Sequence, residues 1–366
     1  MKVAERLKHK INWRRLLIAL TALAILVILI TNIPGIYDFF VYSDFETVEG
    51  LVGSDYKLAG YDDGVIAYNN RNMNFINKHG EVEWSVNVST TSPGAYIKED
   101  YILLADLGGT NAYLYDGERL RTKFTVKNEI TAAAVDDKGN TAIAAKEQGS
   151  KGTVTVYDKD GEKQYVFKSG EGYVGALAIR RKQFAISQII VDEKAVSSKI
   201  VIVNWSKNKE SVCEERNDEM VFDIKFSDDG KIIAVSEKNL LCYSESGTAK
   251  FSVSFGGRSL LKYNTESDDN MVFCFDGDQN NSVVESYSKS GELRGTYIEN
   301  GDVSDVDAEG ETVLINSMRK LERITPDGKL KKSVVSVHDV KKIKLFPDRS
   351  HALVTGNSQA TVVKIK

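Results

Sequence analysis

An all-β fold, a single β-propeller of eight four-stranded antiparallel blades behind one N-terminal transmembrane helix, follows from three observations on this 366-residue sequence. A basic tail runs into an uncharged apolar stretch. The rest of the chain consists of short alternating segments. Within those segments a glycine turn recurs at an even spacing.

The first element is the anchor. Residues 1–15 form a basic tail, and Leu16 to Ile33 carries no charge. Eighteen helical residues rise roughly 27 Å, close to the thickness of a bilayer core, and a helix satisfies its own backbone hydrogen bonds in lipid. A cleaved signal peptide would have a shorter apolar region, about 7–15 residues, ending in a small-x-small site. Here Thr31-Asn32-Ile33-Pro34 follows instead. Arg14 and Arg15 precede the run, whereas Asp38, Asp44 and Glu46 follow it, so the N-terminus is expected in the cytoplasm and the remainder outside the membrane. The expected segments are a tail at 1–15, a membrane span at 16–34 and an extracytoplasmic domain at 35–366. The formal charge of −4 hides this division. Through residue 35, six basic residues against Glu5 leave +5, and the other 42 basic and 51 acidic residues leave −9.

The second element is the repeat. With 42% hydrophobic and 27% charged residues, the chain can bury a core. After Pro34 the pattern is short alternating runs broken by Gly, Asp and Asn, the signature of strands and turns. A turn glycine between two such runs occurs at Gly80, Gly117, Gly161, Gly247, Gly291 and Gly328. The spacings are 37, 44, 86, 44 and 37 residues, and a glycine-free version around Lys207–Lys209 divides the interval of 86. A period near 41 is that of a four-stranded propeller blade. Glycine belongs at a tight hairpin because one residue there takes φ > 0, which costs a side chain roughly 1–2 kcal/mol.

One repeat reads as four strands: Val221–Ser227, Lys231–Glu237, Leu240–Glu245 and Ala249–Phe255. In the last, Phe251, Val253 and Phe255 alternate with polar residues and give one buried face. Residues 341–366 supply only three strands, and the stretch Phe39–Val48 has no other partner. Pairing the two closes the ring and removes an open edge. This makes eight blades, with seven as the alternative count.

The turn glycine followed four residues later by an aromatic (Gly80/Trp84, Gly161/Tyr165, Gly247/Phe251) resembles the tryptophan-docking repeat of quinoprotein-like and outer-membrane-assembly-type eight-bladed propellers. Gly117, Gly291 and Gly328 lack the aromatic. The layout of basic tail, one span and a WD40-like propeller is also similar to a family of membrane-anchored bacterial propellers of unknown function. The vicinal cysteine pair of some quinone-dependent propeller enzymes is absent, so the resemblance implies no cofactor.

Chemistry-bearing motifs are sparse. Asp276, Asp278 and Asn280 alternate in a loop near Glu285, a spacing that can hold calcium, but the glycine and the distal acid are misplaced for a calcium loop. Turn formation is the expected role of these residues and of the recurring Asp-Gly pairs. Gly108-Gly109 and Gly256-Gly257 lack the Lys-Ser/Thr of a phosphate loop. Cys213, Cys242 and Cys274 lie in apolar strand contexts and read as buried thiols, with a Cys242–Cys274 pairing left open. His79, His338 and His351 have no metal spacing, and no nucleophile-elbow motif occurs.

Function is expected in the loops. The links from second to third strand are long at 145–153, 189–199 and 274–282, milder at 105–111, and in a propeller they share one face. The expectation is a non-enzymatic scaffold that binds an envelope protein or extracellular ligand there, with the hairpin face toward the membrane and with no nucleic-acid partner. The alternative is a hydrolase, lactonase or quinone-type oxidoreductase using the central channel.

Overall fold

The computed structural model describes residues 20–21, 45–51, 55–193, 195–267, 269–336 and 338–366. The apolar run Leu16 to Ile33 lies outside them except for Leu20 and Thr21, which are helical. The basic tail with Arg14 and Arg15, and residues 39–44 of the expected closing strand, also lie outside. No helix among the described residues is long and apolar enough to cross a membrane.

Residues 45–366 form the propeller. Its strands assemble into eight four-stranded antiparallel sheets, so the eight-blade count holds over seven. Blades 1 to 7 occupy residues 57–87, 93–125, 130–169, 173–216, 221–254, 260–299 and 305–335. Blade 8 takes three strands from residues 340–364 and its outer strand from Phe45–Thr47. Phe45 pairs with Val363, and Thr47 pairs with Thr361.

Strand alternation explains how one sheet serves two neighbours. In blade 6, Met271, Phe273 and Phe275 pack toward blade 5, whereas Val272 and Cys274 of the same strand pack toward blade 7. The same division recurs around the ring, so each junction between successive blades holds its own hydrophobic cluster. Cys242 and Cys274 sit in different junctions, and all three cysteines are buried free thiols.

The six turn glycines take φ between +58° and +90°. Several also touch the preceding blade. A Cβ on Gly291 would lie 2.6 Å from the Phe251 ring of blade 5, and one on Gly328 would lie 2.3 Å from the Thr296 carbonyl oxygen of blade 6. Backbone conformation and blade docking therefore both demand glycine there.

One expected loop is not a loop. Residues 189–199 continue the sheet of blade 4: strands Gln183–Val191 and Val196–Asn204 stay in register up to Val191 opposite Val196. The β-branched run Ile189-Ile190-Val191 favours strand, and Asp192 supplies the turn by accepting the Ala195 amide at 3.2 Å. The other two links are shorter than expected, at 146–151 and 277–281, because their flanking residues pair.

Each inner strand runs from the face of the second-to-third-strand links toward the face of the glycine hairpins. In blades 3, 4, 5, 6 and 8 this strand carries a bulge at its second or third residue: Thr131, Gly175, Phe222, Leu261 and Lys341. A bulge adds twist at the channel mouth on the link face.

Candidate functional site

Two regions of the propeller carry features that packing alone does not require. The first lies on the link face over blades 3 to 5. The extended hairpin of blade 4 rises beside the entry to blade 5, where Ser187 Oγ donates to the Val221 carbonyl at 2.7 Å and the Val221 amide donates to Ser198 Oγ at 2.9 Å. Those two bonds fix the hairpin next to Met220. On its other side Tyr173 pairs with Ile189, and Lys151 from the 146–151 link lies 4.8 Å from the Tyr173 ring centroid. Lys199 Nζ reaches Glu171 at 2.5 Å. Val191, Tyr173 and Met220 remain 60%, 51% and 40% exposed. The result is a rim that exposes these three large side chains and is held by fixed polar contacts.

Beside this rim Glu219 is buried. It accepts hydrogen bonds from Arg216 Nε at 2.7 Å and Asn239 Nδ2 at 2.8 Å, and from the Ser236 hydroxyl. Burial alone would raise its pKa, but these donors outweigh it and hold the carboxyl below the usual glutamate range.

The second region is the channel. Toward the hairpin face it widens into a cavity of about 710 Å³ lined by inner strands and turns of blades 1 to 6. Its walls differ. Blades 1 to 4 contribute small side chains such as Ala59, Gly60, Ala95, Ala134 and Ala178 along with Tyr96, Leu177 and Arg180, while blades 5 and 6 contribute Asp223, Lys225 and Glu266. Beyond the cavity, Lys344 of blade 8 is buried and places Nζ 3.0 Å from Asp307 Oδ1, with a second bond to Glu266. Asp307 also accepts the Leu345 amide at 2.6 Å and Asn264 Nδ2 at 2.7 Å. Burial would lower the Lys344 ammonium, yet the two carboxylates prevail and keep it charged. The Lys344 charge in turn lowers Glu266. Glu266 is 61% exposed, but to the channel interior rather than the outer surface.

The mouth of the cavity is crossed by an ion pair. Lys98 Nζ on blade 2 lies 3.2 Å from Asp228 Oδ1 on blade 5. Arg180 holds the same turn by donating to the Asp228 carbonyl at 2.9 Å and to Glu245 at 2.8 Å.

Asp276 ends a strand, and Asp278 and Asn280 lie on the following link, where Asn280 has φ +62°. Glu285 does not turn toward them. Arg258 binds it through two nitrogens at 2.7 and 2.8 Å, with the guanidinium 4.0 Å from the Phe275 ring centroid. Among the described residues no three His, Cys, Asp or Glu side chains gather at metal-binding geometry. His351 is engaged by Asp348 at 2.6 Å. The channel residues were invisible as a site because Asp223, Glu266, Asp307 and Lys344 are scattered over three blades and a turn. Only the alternation Asp305-x-Asp307 and Lys342-x-Lys344 on inner strands signals a polar channel wall.

A family model described as a family of unknown function (DUF5711) matches residues 39–365. No curated protein matches the chain. Solved structures share the fold at low identity. BamB from Moraxella catarrhalis is 11% identical with a TM-score of 0.53, covering 88% of this chain and 98% of that one. The C-terminal WD40 domain of Sif2 has the same identity and coverage with a TM-score of 0.62. Chaetomium thermophilum Sqt1, bound to the N-terminus of the ribosomal protein L10, is 12% identical with a TM-score of 0.56, covering 88% and 100%.

Proposed function

The chain belongs to the DUF5711 family of unknown function, and we propose that it is a membrane-anchored extracytoplasmic propeller that binds another envelope protein through its link face. The observation that carries this reading is the raised hairpin of blade 4, with Val191 exposed at its tip and Tyr173 and Met220 exposed beside it. Large apolar side chains on a rigid, hydrogen-bonded support suit protein recognition better than isolated exposed residues do. Sqt1, a propeller of similar fold, is known bound to a protein N-terminus, which makes a protein segment a reasonable class of partner. The anchor rests on the uncharged run Leu16 to Ile33 behind Arg14 and Arg15. An enzyme acting in the channel is the second reading. It is disfavoured because Glu266 and Asp307 are already engaged by Lys344.

Photo-cross-linkers placed at Val191, Met220 and, on the hairpin face, Glu118 test the proposal in intact cells. Adducts from Val191 and Met220 with one envelope protein are expected, with none from Glu118. Adducts from Glu118 alone would overturn the choice of face. Release of the chain from membranes by alkaline carbonate would overturn the anchor.

A further inference from the structure

The link face does not account for the cavity at the opposite end of the channel, which is large enough for a small molecule. We propose that this cavity binds an organic polycation, a linear amine with ammonium groups spaced to reach both Asp223 in the channel and Asp228 at the rim.

Charge runs along the channel. Lys57, Lys262 and Lys342 occupy inner strands toward the link face. At the hairpin end, the turns after the inner strands of blades 1, 2, 3 and 5 each place two acids together: Asp62-Asp63, Glu99-Asp100, Asp136-Asp137 and Asp228-Asp229. Blade 4 instead has Arg181-Lys182 at this turn, and Arg180 there is engaged by Glu245 and the Asp228 carbonyl. An anion entering at this end meets a predominantly negative rim, and a cation is drawn inward.

Inside, most carboxylates are already matched. Lys344 serves Glu266 and Asp307, Lys342 lies 3.6 Å from Asp305, and Asn140 donates to Asp136 at 2.8 Å. Asp223 differs. It accepts hydrogen bonds from the neutral Tyr263 hydroxyl and the Ile224 amide, and the charge of Lys225, whose ammonium also donates to the Glu266 carbonyl at 3.4 Å, acts on it without a direct ion pair. Glu266 faces Asp223 from blade 6 and adds negative charge. Asp223 lines the cavity together with Tyr96 and the small residues Ala95 and Ala134.

At the rim the chain presents its own substitute for the ligand. Lys98 reaches across from blade 2 to set an ammonium on Asp228, although Asp228 remains 83% exposed. A tethered ammonium already marks one of the two anionic positions. Asp223 and Asp228 are five residues apart along a strand and its turn, on the order of 10–15 Å, the reach of an extended polyamine.

The test is calorimetric titration of spermine into the full-length chain in detergent at physiological ionic strength. Saturable binding at one site per chain is expected, weakened about tenfold by Asp223→Asn and by Asp228→Asn. Lys98→Ala should bind severalfold more tightly because its competing ammonium is gone. Asp228→Asn sits on the exposed rim, so its unfolding temperature without spermine should match the wild type and keep the test valid if Asp223→Asn does not fold. Absence of saturable binding, equal binding by the Asn variants, or weaker binding by Lys98→Ala would each overturn the proposal.

Discussion

Lys344 and Asp307 form a buried ion pair across two adjacent inner strands, Nζ to Oδ1 at 3.0 Å, inside the channel. Removing only the ammonium would leave Asp307 buried against its remaining donors. Lys344→Met is therefore expected to cost about 3–5 kcal/mol in urea unfolding, and adding Asp307→Asn should restore a large part. A single variant as stable as wild type would show that the pair contributes nothing.

Glu219 gives a pH dependence of known sign. Its carboxyl is held below its ordinary value of 4.5, so the folded state binds fewer protons than the unfolded state near that pH. Its contribution is complete above about pH 5 and is lost as pH falls through the lowered folded value. Glu219→Gln should be less stable at neutral pH and should show a shallower loss of stability between pH 5 and pH 3. Parallel stability-against-pH curves for the two proteins would refute this.

Turn glycines should divide by their surroundings. Gly149 has φ +85° with nothing within 4 Å of a Cβ, so Gly149→Ala should cost about 1 kcal/mol from backbone conformation alone. Gly328 has φ +80° and a carbonyl oxygen 2.3 Å from the same atom, so Gly328→Ala should cost at least about twice as much. Equal thermal shifts would remove the docking role.

The cysteines are expected to be inert in the native state. Burial pushes the thiols of Cys213, Cys242 and Cys274 up to about 12, 11 and 12. Thiolate is the reactive form, so an aromatic disulfide reagent should titrate all three only after denaturant is added. Prompt reaction of the folded protein would contradict their burial.

Much of this architecture could be read from sequence because propeller strands are local. The strands of blade 5 come within two residues of their expected ends, since alternation and turn residues lie within each segment. The hairpin at 189–199 was misread because its polar tip, Asp192 to Ala195, resembles a loop, while only pairing reveals the flanking Ile189 and Val196 as strand. Arg258 could not be matched to Glu285, 27 positions further on, because no pattern in between joins them. The same holds for Lys98 and Asp228, 130 residues apart, which meet only because the ring curves back on itself.

The pairing of Phe45–Thr47 with Thr361–Val363 also has a consequence in time. The propeller's first strand leaves the ribosome before any other and waits for the last to emerge. Seven blades can pack pairwise as they appear, because each junction needs only its neighbour. Blade 8 cannot be completed until nearly the whole domain has been made, and until then blade 1 lacks one of its two neighbours. The clasp thus ties closure of the ring to the synthesis of its last strands. A chain interrupted anywhere downstream of blade 1 stays an open arc with an unpaired edge.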